Sequence, residues 1–296
     1  MNKLSSPRLA SDSATIVSVP SFNAREIESR IFNKQFCHPQ QPAVFRKSIS
    51  GWNTDAWSQD YLKHLLGRRQ VRVNHNELGV FDYNEGSQTG PVTKQSMSFA
   101  EAIDLIYSEK GSKYYIQQES LKHTFTELQR DIARPKLLDR WKIIVAVNLW
   151  LGGMACKSPL HFDGNDNFLV QVKGDKKVFL FPPSETEHLY PAIGKRLSHL
   201  SLLNVFAPVD ADTFPLYEKA QATQLCLTLH AGDTLYIPRG WWHAVESLDT
   251  SISINFWWVA ADSPREIRHL AGKLMVNVIG GQLRKWASIF RKRREL

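Results

Sequence analysis

The stretch SPLHFD, residues 158–163, places a histidine and an aspartate two positions apart. In an extended strand, residues i and i+2 project to the same side. His161 and Asp163 would then face one point while Phe162 faces the other way, and an imidazole and a carboxylate so aimed can share one metal ion. In a chain with ten histidines the triplet alone carries little, because a surface histidine beside an aspartate is its ordinary meaning. A second segment, HAGDTLYIPRGWWHAVES (residues 230–247), adds weight. Gly232–Asp233 is a hairpin turn signal, Leu235–Ile237 an apolar strand, and Pro238 with Gly240 a sharp bend, after which His243 opens another strand. In a closed antiparallel barrel that strand can lie across from the first, and His243 then completes a set of two histidines and one carboxylate. Such a triad leaves coordination positions open and suits non-haem Fe(II) oxygenases. A structural zinc would take four protein ligands instead. His188, His199, His230 and His269 have no carboxylate two positions away and read as ordinary surface or core residues.

The elements that must position these residues follow from periodicity. KIIVAVNLWLG, NFLVQVKG, KKVFLFPP, QLCLTLHAGD, TLYIPRG, WHAVES and SISINFWWVA are short apolar or alternating runs broken by Gly, Pro, Asp and Ser. They predict an antiparallel sandwich or barrel from Lys142 onward. The preceding third is mixed. Helices are expected over 22–34, over 98–109 with Ser98 and Glu101 as a capping box, and over 124–135 with Pro135 as the stop. Strands are expected in PAVFRKS and over 113–118. After Ser263 the spacing returns to helix, with Ile267, Leu270, Ala271, Leu274, Val278 and Ile279 on one face.

Composition narrows the class. With 296 residues, 43% hydrophobic, the chain can bury a large core. Three widely spaced cysteines make neither a disulfide framework nor a zinc pattern, so the chain reads as cytoplasmic and reduced. No run is long and apolar enough for a membrane span, and the polar, Ser-rich first twenty residues read as a flexible lead-in rather than a signal peptide. From Pro264 onward nine Lys or Arg face two Glu, which places seven of the eight surplus positive charges in that segment. A basic run there fits either a solvated terminus or an acidic partner such as nucleic acid.

HFDGNDNFLVQVKGDKKVFLFPPSETEHLYP together with GDTLYIPRGWWHAVES and ISINFWW closely resembles the JmjC-type, cupin-fold Fe(II)/2-oxoglutarate hydroxylases. Within them the match is best to the group of the hypoxia-inducible-factor asparaginyl hydroxylase and the tRNA wybutosine hydroxylase. The resemblance spans roughly residues 40–260. It implies a mainly β protein, a double-stranded β-helix (jelly-roll, cupin) core with an N-terminal α/β elaboration and C-terminal helices. The expected organisation is a lead over 1–20, the hydroxylase domain over 21–262 and a helical, basic dimerisation segment over 263–296. It implies His161, Asp163 and His243 as iron ligands. For the far carboxylate of 2-oxoglutarate it implies Lys176, with Lys173 and Lys177 as rivals, helped by the hydroxyls of Ser158 and Tyr115, with Tyr114 as rival to Tyr115. Asn167 and Asn255 fall at two amides near the co-substrate. Asn255 interrupts an otherwise apolar strand, where an unpartnered amide is costly. Trp257 falls on the substrate side and Gln117 near a bound peptide.

The implied activity is hydroxylation of a protein or peptide side chain, coupled to decarboxylation of 2-oxoglutarate, by a homodimer. The basic tail makes a modified tRNA nucleoside the alternative substrate, and a catalytically silent cupin is a third class that the intact triad and Lys176 argue against. Histone demethylation is disfavoured, as no chromatin-reading module accompanies the core. The segment from about Pro191 to Gln221 is expected over the active-site mouth.

Overall fold

The computed structural model describes residues 18–84, 87, 89–192 and 199–260. Its strands, in chain order, are β1 (Ser21–Asn23), β2 (Ala43–Arg46), β3 (Gln70–His75), β4 (Thr93–Ser98), β5 (Tyr114–Ser120), β6 (Lys142–Gly152), β7 (Lys157–Phe162), β8 (Asp166–Lys173), β9 (Lys176–Phe181), β10 (Leu225–Leu229), β11 (Thr234–Ile237), β12 (Trp242–Ser247) and β13 (Ser251–Ala260). They form two sheets. The larger runs β1-β2-β11-β8-β13-β6-β5-β3-β4, and the smaller runs β10-β9-β12-β7. Apart from the parallel pair β1–β2, every pairing is antiparallel. The antiparallel layering is what the run of short strands predicts, and the two-sheet jelly-roll is what the resemblance implies.

Alternation divides the labour of the large sheet. In β8 and β13, Phe168, Phe256 and Trp258 point to an outer core, while Asn167, Leu169, Asn255 and Trp257 line a cavity on the inner face. The outer core is closed by helix α1 (Ser29–Phe32) and the π-turn after it. Phe32 there meets Tyr236 edge-on at 5.1 Å and Phe168 at 5.2 Å between ring centroids. Burying each such ring stabilises the fold by about 1.5–3 kcal/mol. Helix α2 (Gln59–Leu66) and helix α3 (Phe99–Ile106) pack their apolar faces into the same core. Helix α3 starts with the expected capping box, Ser98 Oγ accepting from Glu101 N while Glu101 accepts from Ser98 N. Helix α4 (Tyr217–Gln221) lies against the small sheet's outer side, with Tyr217 near Phe181.

Two helices expected from periodicity are shorter than predicted. Only Thr126–Asp131 of 124–135 is helical, as a 3-10 segment. Asp131 is pulled inward, its carboxylate accepting from Trp57 Nε1 (2.9 Å) and Asn53 Nδ2 (3.1 Å), and those tertiary bonds override the helical spacing. Over 22–34, the first residues add a strand beside β2, and only α1 and the π-turn are helical. The expected helical, basic segment over 263–296 and most of the lead over 1–20 lie outside the described residues. Among the described residues, no helix is long and apolar enough to cross a membrane, and Cys37, Cys156 and Cys226 are free thiols.

Candidate metal centre

Strand pairing brings the two motifs together. His161 on β7 and His243 on β12 are direct cross-strand partners, and their ring centroids stand 4.2 Å apart. Asp163 sits one residue beyond β7, at the turn into β8. One ligand atom from each of His161, Asp163 and His243 lies within 4.8 Å of the other two, the only such group of three among the described residues.

The surroundings fix which atoms can bind. His161 Nδ1 lies 2.7 Å from Pro159 O, and His243 Nδ1 lies 3.0 Å from Trp241 O. A carbonyl can only accept, so each Nδ1 carries its proton and each Nε2 presents a lone pair. Burial, and then the neighbouring His161, push the His243 imidazole below its usual range, which keeps it neutral as a ligand must be. Trp257 Nε1 donates to Asp163 Oδ2 at 3.0 Å, and Asn167 Nδ2 approaches the same oxygen at 3.4 Å. The loops carrying the ligands are stitched to each other. Gly240 N donates to Asp163 O (2.9 Å), and buried Asp166 accepts from Tyr236 Oη (2.7 Å) and Arg239 N (3.3 Å). Two imidazoles and one carboxylate, with the rest of the coordination sphere facing a cavity, fit Fe(II) in its oxygenase role.

That cavity, about 250 Å³, lies between the two sheets. From the large sheet it is lined by Tyr115, Asn167, Asn255 and Trp257, and from the small sheet by Ser158, His161, Lys176 and His243. Lys176 is 1% exposed, yet it makes no ion pair among the described residues. Its Nζ donates to Tyr115 Oη at 3.3 Å and lies 5.7 Å from that ring. Burial lowers its pKa to about 8 and holds the Tyr115 phenol protonated far above its ordinary range. A buried ammonium beside two hydroxyls, with no carboxylate of its own, fits an anionic co-substrate. The rivals are placed elsewhere. Lys177 extends over Phe179 on the other face of β9, Lys173 is exposed, and Tyr114 packs against His75.

Asn255 does not stand alone in its apolar strand. Its Oδ1 accepts from Trp150 Nε1 (2.8 Å) and Asn148 Nδ2 (3.2 Å), and its Nδ2 reaches Asn167 Oδ1 at 3.5 Å. An amide chain therefore runs from β6 through β13 and β8 to the metal carboxylate. We expect Asn255→Leu to leave the buried Asn148 amide and the half-buried Trp150 indole without an acceptor. Urea unfolding of the variant should show a loss of about 2 kcal/mol, and an unchanged midpoint would count against the network. Trp257→Phe keeps the ring but removes the N–H on Asp163. Its Fe(II) affinity, read by metal titration, should fall about tenfold or more.

One residue has a role beyond its expected one, and one placement differs from the sequence-based expectation. Trp257 lines the cavity wall but also holds the aspartate ligand. His199, read as an ordinary residue, lines the cavity, where burial lowers its pKa. Gln118 and Trp150 also line it without having been singled out. Gln118 adopts φ +54° at a bulge in β5 between Ile116 and Glu119, and no short-range sequence signal marks that bulge. Gln117 faces a neighbouring chamber rather than the metal cavity. Of the segment from about Pro191 to Gln221, expected over the mouth, His199 and Leu200 line the neighbouring chamber, and Leu200 bridges to His161.

A two-sheet jelly-roll with this donor set between its sheets defines a cupin, and the cupin-like domain family matches residues 28–263. The chain belongs to that family, in its JmjC-type branch. It is 33% identical over 246 residues to lysine-specific demethylase 8 of Xenopus tropicalis, a match covering 81% of this chain and 52% of that protein. It is 37% identical over 265 residues to lysine-specific demethylase JMJ31 of Arabidopsis thaliana, covering 73% and 46%. With HSPB1-associated protein 1 of Homo sapiens it shares 30% over 244 residues, covering 74% and 48%. The chain spans about half the length of these relatives.

Proposed function

We propose that this chain is an Fe(II)- and 2-oxoglutarate-dependent oxygenase that hydroxylates a side chain of a protein or peptide. The observation that carries the proposal is the pairing, in one cavity, of the His161–Asp163–His243 group with a buried, otherwise unpaired Lys176. When bound, iron and 2-oxoglutarate supply the oxidising chemistry. The chain supplies position. His161, Asp163 and His243 would hold the metal, and their Nδ1–H and indole partners keep the donors aimed. Lys176, Tyr115 and Ser158 would hold the distal carboxylate by charge-assisted hydrogen bonds. Asn167 and Asn255 keep the Asp163 side of the cavity rigid, and the aromatic walls limit water.

The names of the relatives bring demethylation in as the second reading. The two reactions share their first step, because hydroxylation of an N-methyl carbon gives a product that releases formaldehyde. Succinate formation from 2-oxoglutarate with Fe(II), present in the wild type and lost in His161→Ala, tests the reaction class. Candidate peptides then separate the outcomes, since hydroxylation adds one oxygen to the mass while demethylation removes a methyl group and releases formaldehyde. Modified tRNA, the alternative suggested by the basic segment after Pro264, enters the same assay as a third substrate. Absence of turnover with all of these would favour a silent cupin.

A homodimer through the segment over 263–296 belongs to the same proposal. A chain ending at Ser263 should then run at half the solution mass of the full chain, and an unchanged dimer would sink the idea.

A further inference from the structure

We propose that Lys94 sets the charge class of the substrate, so that the mouth of the metal cavity admits acidic peptide segments and turns away cationic side chains, methylated lysine included. The proposal rests on the oxygenase reading for the reaction, but not for the binding preference.

A second chamber of about 330 Å³ adjoins the metal cavity. Tyr83, Lys94, Gln117 and Leu200 belong to it alone, whereas Gln118, Trp150, Ser158, His161 and His199 line both spaces. A group reaching the metal from this side passes Lys94. Sheet register explains its place. Lys94 on β4 pairs directly with Asn74 on β3, and Asn74 pairs with Tyr115 on β5. Directly paired residues share a face, so the face that carries Tyr115 into the metal cavity carries Lys94 at its rim.

Recognition of a cation needs a carboxylate or a free aromatic face. Among the described residues no Asp or Glu lines this chamber, and Asp163 is the only acid lining the metal cavity. The nearby Asp82 is engaged within its own loop, accepting from Ser87 Oγ (2.7 Å) and Asn84 N (2.9 Å). Of the chamber's Phe, Tyr and Trp rings, Phe81 is fully buried against Tyr115 (5.2 Å between centroids), Trp150 packs on the same tyrosine (6.1 Å), and the face of Tyr83 is covered by the chain's own cation, with Lys94 Nζ 5.8 Å from the ring centroid. The Tyr83 hydroxyl donates to Gln117 Oε1 at 2.6 Å, and Asn74 Nδ2 donates to the same oxygen at 2.9 Å. Both acceptor sites of that amide are thus engaged, and its NH2 is the end left for a ligand. Lys94 itself makes no ion pair among the described residues. The chamber therefore presents donors and a positive charge.

Formal charge points the same way. A divalent metal with Asp163 and Lys176 carries two net positive charges, which the two carboxylates of 2-oxoglutarate offset. Lys94 is then the surplus, and a like charge brought up to it is repelled where little water intervenes.

The test measures binding without turnover. The full chain is loaded with Fe(II) and 2-oxoglutarate under nitrogen and titrated into fluorescent peptides of equal length, one Asp/Glu-rich, one Lys-rich and one carrying trimethyl-lysine. Anisotropy should show the acidic peptide binding about tenfold tighter or more than either cationic one, with the ratio shrinking as salt is added. Lys94→Glu should collapse or invert that ratio, and Lys94→Gln should bring it close to one. Lys94 is exposed on its strand, so neither change disturbs the core. A wild type that favours either cationic peptide, that binds all three equally or not at all, or whose ratio survives Lys94→Glu would overturn the proposal. Admitting air and measuring succinate then tests the oxygenase reading on its own, since a silent site would leave the binding ratio intact.

Discussion

Replacing His243 with alanine is expected to lower Fe(II) affinity and 2-oxoglutarate turnover by more than about a hundredfold, beyond what loss of an outer-shell partner alone removes. The residue is 4% exposed and its imidazole neutral, its Nδ1–H is anchored on Trp241 O, and its Nε2 faces Asp163 Oδ2 at 3.8 Å. Alanine leaves a gap where a donor stood. Water could fill that gap, but it cannot restore a fixed lone pair in the same direction. His161→Ala and Asp163→Ala should give losses of the same order, since each removes one of the three donors. The pattern should not be additive, because the remaining two ligands hold no useful ion once the third is gone. Metal titration of the apo proteins and succinate release with each variant check this together. A His243→Ala protein that bound and turned over like the wild type would remove His243 from the centre.

The second large effect concerns Lys176, where function and stability should part company. In Lys176→Met the distal carboxylate of 2-oxoglutarate loses its only buried cation, and the KM for 2-oxoglutarate should rise by about a hundredfold, a loss of roughly 3 kcal/mol. Metal affinity should hardly change, because Lys176 touches none of the three ligands. Without 2-oxoglutarate the variant should melt higher than the wild type at neutral pH. The folded-state pKa, about 8, is depressed from the ordinary lysine value of 10.5. Below pH 8 both folded and unfolded chains carry the proton, and the folded chain bears the full penalty of a buried charge. As pH rises between 8 and 10.5 the unfolded chain still holds the proton that the folded chain releases, so wild-type stability climbs relative to the methionine variant. The same ionisation governs the co-substrate. The free protein should bind 2-oxoglutarate more weakly as pH passes 8, and isothermal titration in buffers of different ionisation enthalpy should show proton uptake there. A Lys176→Met protein with unaltered KM, or lower melting in the absence of 2-oxoglutarate, would contradict this account of the residue.

How much of this could be read beforehand depends on the range over which each interaction acts. The strands from Lys142 onward were visible because period-2 alternation and Gly, Pro and Asp breaks are local. The His161–Asp163 pair was visible for the same reason, since strand geometry alone aims both residues. The choice of Lys176 over Lys177 followed from resemblance, with alternation only separating their faces, and the structure buries the one and leaves the other over Phe179. The helix expected over 124–135 is cut to a 3-10 segment over Thr126–Asp131, because Asp131 answers to Trp57 and Asn53 far away in sequence. His199 was set aside because no carboxylate stands two positions away, and its place at the cavity depends on the bridge between its neighbour Leu200 and His161, far away in sequence. The second role of Trp257, its bond to Asp163, depends on β13 meeting the turn after β7, and nothing near Trp257 in the chain announces it.

The direct pairing of His161 with His243 has a consequence for the order of events in the life of the molecule. In a zinc finger the ligands sit close together in sequence, and the ion drives a small unfolded segment to fold. Here one ligand arrives on β7 and another on β12, and the strands between them must be threaded into two sheets before the donors meet. A nascent chain that has emerged only through β11 owns no complete metal site and cannot capture iron at this position. Metallation is therefore a late step taken by a finished barrel, with the entropy of bringing the donors together already spent by the backbone ladder. A chelator should strip such a protein of its metal while leaving its circular dichroism spectrum intact, and the emptied barrel should take up iron again without refolding.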